Sequence, residues 1–259
     1  MCLILIAYGV HPENRFILAA NRDEFYERPS APLAYWEDTP QILAGRDRTA
    51  WGTWLGVTPA GRLAAITNYR NPSHSKSQAP TRGDIVRNYL AGAKSPLSYL
   101  QRLQKTAHLY NGFNLFVADD ANLYYFSNVS NQIKKLDAGY FGLSNHLLNT
   151  PWPKVTKGIN FLRHFIEKRS QLEPESLFGL LSDKSIPPDG QLPDTGIGLE
   201  WERRLGAIFI SSPTYGTRCS SLVFMTHQGE VHFLERTFDT TLEKPEKPVT
   251  REFKFALAR

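Results

Sequence analysis

The chain has little cysteine: Cys2 and Cys219 are the only two in 259 residues. That is too few for a disulfide framework, and the pair has no metal-binding spacing. Such usage suits a reducing compartment. A single Cys2–Cys219 bridge stays open at this level, because bridge geometry is not written in spacing. Also missing is any run approaching the ~18 apolar residues that a membrane span needs. The apolar start, Leu3 to Val10, has no basic segment before it and no small-residue cleavage site after it. It reads as a strand, and a cytoplasmic protein is expected. Long basic runs are absent too, with nothing beyond pairs such as Lys134-Lys135 and Arg203-Arg204. The net charge of +5 is therefore scattered, which argues against nucleic acid and leaves a small, anionic molecule as the expected partner. Oligomeric state has no signature here.

What is present is ordinary for a globular chain: 41% hydrophobic and 21% charged residues, enough to bury a core without covalent staples. No linker or internal repeat divides it, so one domain over 1–259 is expected, with a Lys/Pro/Glu-rich surface tail from about 242. Leu3 to Tyr8 and Phe16 to Ala20 are continuous apolar runs, as in strands covered on both faces. Residues 25–50, broken by Pro29, Pro32, Pro40 and Gly45, read as a long loop. Trp51–Thr58 and Arg62–Tyr69 read as a strand pair. Thr81 is positioned as the N-cap of one helix, and Ser95 or Ser98 starts a second. Four strands follow, near 114–118, 123–127, 132–136 and 140–144. Val155, Ile159, Leu162 and Ile166 form the stripe of a long amphipathic helix from Trp152 to about Lys168. A shorter helix is expected at 175–181, a loop at 184–199, and closing strands at 207–211, 217–226 and 230–238. Strand blocks alternating with helix blocks predict antiparallel sheets with helices stacked outside.

The chemistry gathers at strand ends. Removing Met1 would leave Cys2 first in the chain, with its own α-amine beside its own sulfur. The amine (pKa ~8) and thiol (pKa ~8.5) are both poised near neutrality, so the amine can serve as general base without a histidine. The second strand ends in Asn21-Arg22-Asp23-Glu24. Strand alternation points Asn21 and Asp23 one way and Arg22 and Glu24 the other. Asp23 is placed to hold the ammonium formed on Cys2, and Asn21 to orient substrate or amine. Asn68, Asn145 and Arg218 follow later apolar runs. An amide can donate to an oxyanion, and an arginine can position a carboxylate. Taken singly, each of these residues is more often a packing thiol, a strand cap or a turn residue.

Cys2, then Asn-x-Asp, then Asn68, Asn145 and Arg218 in order, resembles the N-terminal-nucleophile (Ntn) hydrolases, especially the bile-salt-hydrolase and penicillin-V-acylase branch. Ala20 stands where that branch has arginine. A closer resemblance covers nearly the whole chain: Met1-Cys2-Leu3, Ala20–Glu24, Gly52-Thr53-Trp54-Leu55-Gly56, Thr67–Arg70, Arg82-Gly83, Tyr110–Leu115, Ser144-Asn145, Pro151–Lys154 and Thr217–Ser221. These blocks are similar to the NRDE family, the transport-and-Golgi-organisation 2 family. Trp51 stands where that family more often has a second glycine.

The resemblance implies an α+β fold, a four-layer αββα Ntn-hydrolase-like sandwich of two mainly antiparallel sheets. It implies two functional readings. In the first, the chain is an Ntn-type cysteine amidohydrolase of an unidentified small metabolite. Cys2, Asp23, Asn68, Asn145 and Arg218 are then its catalytic residues. Asn21, Arg22, Glu24, Arg70, Trp51 and His146 would contact substrate, and no metal or cofactor is required. In the second, the same fold binds and moves haem or an acyl-CoA-like lipid without catalysis. Arg46, Arg70 and Arg218 would then meet acidic groups, and Cys2, Cys219 or His146 would be iron ligands.

Overall fold

The computed structural model describes residues 2–168, 172–238 and 247–258, and for Cys2 and His74 the backbone alone. Among the described residues the chain forms strands β1 (Cys2–Tyr8), β2 (Asn14–Phe25), β3 (Ser30–Tyr35), β4 (Leu43–Asp47), β5 (Leu55–Val57), β6 (Leu63–Asn68), β7 (Phe113–Ala118), β8 (Leu123–Ser127), β9 (Gln132–Leu136), β10 (Gly139–Leu143), β11 (Tyr215–Thr226), β12 (Glu230–Thr237) and β13 (Val249–Ala256). The α-helices are α1 (Gly83–Ala91), α2 (Pro96–Gln104), α3 (Pro153–Lys168), α4 (Pro174–Leu181) and α5 (Leu199–Gly206).

The strands make two sheets: six-stranded, β10-β1-β2-β11-β12-β13, and seven-stranded, β3-β4-β5-β6-β7-β8-β9. The pairings from β10 through β12 in the first sheet and throughout the second are antiparallel. Two compact units follow: residues up to Glu27, Ala138–Ser144 and Leu148–Lys254 in one, Arg28–Asp137, Asn145–Leu147 and Phe255 onward in the other.

In the first unit, α3 and α4 lie on one face of the sheet. Leu3, Leu5, Ile17, Ala19 and Leu222 meet Val155, Leu162, Phe165, Leu177 and Leu181 there. The alternate positions of the same strands, Ile4, Ile6, Leu18 and Val223, are buried as well. Burial on both faces is why β1 and β2 are continuous apolar runs in sequence. In the second unit, Ala64, Ile66, Leu115, Val117 and Phe126 pack under Ile85, Val86 and Tyr89 of α1 and Leu100 and Leu103 of α2. Ser95 caps α2 through Ser98 N at 3.4 Å. Thr81 is displaced from the expected cap by one residue: Arg82 holds the N-cap position, and the Thr81 hydroxyl accepts from Gly83 N at 3.3 Å.

Two expectations need correction. Residues 25–50 are not a continuous loop, since they contain β3 and β4. Pro32 is tolerated because β3 is the sheet edge, and its register with β4 shifts between Ala31 and Ala34. Residues 207–211 are not a strand: Ser211 makes only an isolated bridge to Gly216. Residues 199–206 form a helix instead. The 242 tail carries an edge strand, β13, from Val249, while residues 239–246 lie outside the described set.

Candidate functional site

The site in the first unit is built on the paired ends of β1, β2 and β11. Cys2 pairs with Arg22 across β1–β2. On the far side of β2, Cys219 also pairs with Arg22, Ser220 with Asn21, and Thr217 with Asp23, with a bulge at Arg218 between them. Alternation along β2 keeps Asp23 and Asn21 on the helix-covered face, and the bulge in β11 lets Thr217 and Ser220 both meet them there.

Asp23 is 1% exposed. Its Oδ1 accepts from Thr217 Oγ1 at 2.7 Å, and its backbone carbonyl accepts from the Tyr215 hydroxyl at 3.0 Å. Burial pushes its carboxyl above the ordinary range, against the pull of Lys154, the Thr217 hydroxyl and Arg22. An aspartate in this setting is a strong acceptor for any cation delivered to it.

Asn21 is equally buried, but its polar atoms are engaged by the protein. Nδ2 donates to Leu181 O at 2.8 Å and to Ile208 O at 2.9 Å. Oδ1 accepts from Ser220 Oγ at 2.6 Å. This side chain ties β2 to the end of α4 and to the segment after α5.

On the opposite face Arg22 lies 3.9 Å from Glu24, as strand alternation required. Arg218 Nη1 donates to the carbonyls of Phe25 and Tyr26 at 2.9 and 3.1 Å, closing the end of β2. Burial lowers its pKa, and repulsion from Arg22 adds to that. Cys219 is buried.

The remaining candidates belong to the second unit. Asn145 Nδ2 donates to Asn68 O at 2.9 Å, and Asn145 O accepts from Arg70 N at 2.7 Å. The structure thus brings Asn68, Arg70 and Asn145 together at the end of β6. His146 follows, its ring 5.0 Å from that of Tyr69, and burial lowers its pKa. Trp51 is 56% exposed, and Arg46 lies over it while pairing with Asp38 at 2.8 Å.

A cavity of about 400 Å³ beside β6 is lined by Tyr69, Lys76, Arg82, His108, Tyr110 and Asn111, none of which the strand-end reasoning had singled out as a site residue. A larger one, about 750 Å³, lies along α1 and α2 by Arg62, Tyr99 and Arg102. Among the described residues no group of three or more His, Cys, Asp or Glu is arranged to hold a metal ion. Of the residues that the haem reading named, Cys219 is buried in β11 and His146 is half-buried beside Tyr69.

Sequence reasoning passed over Lys154 and Thr217 as site residues. Each stood in a resemblance block, but nothing near them in sequence reveals the buried carboxylate they face.

The fold is that of the Ntn hydrolases. It superposes on the Caenorhabditis elegans N-acylethanolamine-hydrolyzing acid amidase ortholog with a TM-score of 0.51 at 13% identity, over 85% of this chain and 92% of that one. Residues 1–240 match the family Transport and Golgi organisation 2, and the chain belongs to it. It is 37% identical to the human Transport and Golgi organization protein 2 homolog, with 99% of each chain covered. It is 36% identical to the Bos taurus homolog, over 92% of this chain and 93% of that one. With Drosophila melanogaster Transport and Golgi organization protein 2 it shares 28% identity over 92% of each. Among the described residues no helix is long and apolar enough to cross a membrane.

Proposed function

We propose that this chain is an Ntn-type cysteine hydrolase that cleaves an amide bond in a small metabolite. The observation that carries the reading is a register: Cys2 pairs with Arg22, one residue before the buried Asp23. An amine at the start of β1 is thereby delivered next to a carboxylate held at 2.7 Å by Thr217.

Removal of Met1 exposes the Cys2 α-amine. The amine takes the thiol proton, and Asp23 stabilises the ammonium. The thiolate attacks the substrate carbonyl. The C–N bond breaks and the amine leaves with the proton held on the Cys2 nitrogen. Water then adds to the Cys2 thioester, the C–S bond breaks, and a carboxylic acid departs while the thiol is restored. The reaction needs water and no cofactor. The reading rests on the first unit and assigns no step to Asn68 or Asn145.

The test combines intact mass with turnover. Mature protein should begin at Cys2 and carry a thiol that iodoacetamide alkylates. It should release amine from a panel of N-acyl amides, N-acylethanolamines included, and C2A should abolish that release. Retention of Met1, or release that survives C2A, would overturn the reading. A chain that retains Met1 yet saturably binds haem or an acyl-CoA would be the non-catalytic carrier instead.

A further inference from the structure

Lys154 occupies the first turn of α3 and is 4% exposed. A lysine is almost never so buried without a partner. Its position is also the wrong end of its own helix, where the macrodipole disfavours a cation. Two features compensate. Nζ donates to Leu205 O at 2.9 Å, one of the last carbonyls of α5, so the ammonium meets the negative end of a second helix. The other feature is the attraction between Lys154 and the Asp23 carboxylate.

The same segment links the two ends of this arrangement. Leu205 packs with Ile210 and Tyr215. Tyr215 and Thr217 donate to Asp23, and the Thr217 hydroxyl accepts from Ile210 N at 2.9 Å. Residues 205–217 therefore carry both the acceptor of Lys154 and the donors to Asp23.

We propose that Lys154 is a positioning residue that keeps the buried Asp23 charged and, by anchoring the 205–217 segment through Leu205 O, steadies the Tyr215 and Thr217 hydroxyls that hold it. The inference rests on the reading of Asp23 as partner of the Cys2 amine. The groups that face Asp23 are Lys154 from α3, Arg22 on its own strand, Thr217 and Tyr215 from β11, Tyr26 beyond β2, and, once Met1 is gone, the Cys2 amine from β1. Of these, Lys154 is the cation contributed by the helix layer. Without it the carboxylate would bury a charge with weaker compensation and take up a proton at higher pH.

The experiment compares wild type, K154M and K154R, with the carboxyl of Asp23 followed by carbon NMR across a pH titration. In K154M the Asp23 titration should move to higher pH by at least about one unit. The acid limb of Cys2 alkylation should move with it, and K154R should restore both toward wild type. An unmoved Asp23 titration in folded K154M would overturn the proposal, because a lysine that only caps α5 would not alter it. A second measurement covers failure of K154M to fold. The Cε resonance of Lys154, titrated in wild type and D23N, should show Lys154 losing its proton at lower pH in D23N, and an unchanged titration would overturn the proposal. Neither NMR readout needs turnover. Coupling without amine release would leave the charge pair standing and remove the hydrolase reading, whereas amine release without coupling would do the reverse.

Discussion

Cys2 and Cys219 flank the same residue, each pairing with Arg22 from opposite sides of β2. Two strand spacings therefore separate them, roughly 10 Å between Cα atoms. A disulfide needs Cα atoms within about 7 Å. The bridge that spacing alone left open is thus closed off by the sheet. Oxidation of native protein with a copper–phenanthroline catalyst should give no intramolecular loss of two hydrogens by intact mass. Such a loss in protein with native circular dichroism would contradict the register.

Asn21 should prove a stability residue. Asn21→Ala leaves Leu181 O, Ile208 O and the Ser220 hydroxyl without their partner. At ~1–3 kcal/mol for a buried unsatisfied group, the loss should exceed ~3 kcal/mol in urea denaturation. Asn21→Asp should be as costly, since it turns an oxygen toward two carbonyls. A loss under ~1 kcal/mol would return Asn21 to a ligand-facing role.

The Gly-Thr-Trp-Leu-Gly block has a packing origin. A Cβ at Gly52 would lie 2.4 Å from the Gly83 carbonyl carbon, whereas one at Gly83 would lie 3.1 Å from Gly52 Cα. Gly52→Ala should cost at or above the ~1–3 kcal/mol typical of overpacking, and Gly83→Ala distinctly less. Thermal unfolding of the two variants tests the ranking.

Trp51, standing where the family more often has glycine, adopts φ +58°. That conformation costs a non-glycine residue about 1–2 kcal/mol, while stacking under Arg46 returns about 0.5–1 kcal/mol. Trp51→Gly should therefore be stabilising or neutral within ~1 kcal/mol in denaturant unfolding. A larger loss would mean that Trp51 makes a further contribution.

Asp47 supplies an acid-sensitive anchor in the second unit. Its Oδ2 accepts from Arg28 Nε at 2.8 Å, and Oδ1 from Thr49 N at 2.9 Å and Ala50 N at 3.2 Å. Burial alone would raise its pKa, but the Arg28 and backbone bonds outweigh it and the pKa is lowered. A carboxylate with a depressed folded pKa stabilises above its unfolded value, ~3.9, and loses that contribution as pH falls through the folded value. Asp47→Asn should cost ~1–3 kcal/mol at pH 7. The difference from wild type should shrink as the pH drops below about 4. A gap that stays constant down to pH 3 would refute the assignment.

Strands whose apolar runs are long enough to be covered on both faces, β1 and β2, were legible directly, as was the stripe of α3, whereas the start of α2 was narrowed to Ser95 or Ser98. The alternation that put Arg22 with Glu24, opposite Asn21 and Asp23, was legible too. β3 was hidden by Pro32, which an edge strand tolerates, and β4 by Pro40 before it and Gly45 within it. α5 was hidden because only Glu202 and Leu205 of its residues are buried, which leaves no stripe to read. Residues 207–211 looked like a strand because they are apolar. Ala207, Ile208 and Ile210 are buried in a strap held by Asn21 and Thr217, and no ladder forms along it.

By itself the sequence determined the family, through its ordered motif blocks, and with the family the α+β class; it also determined the face on which each residue of the Asn21–Glu24 run lies, because side-chain alternation is a local property. Tertiary structure decided the rest. It alone separated Asn21, bonded to carbonyls from two distant segments, from Asp23, buried beside a lysine that comes much later in the chain. Burial depth and charge compensation depend on what folds over a residue, and in Asp23 and Lys154 that neighbour is far away in sequence.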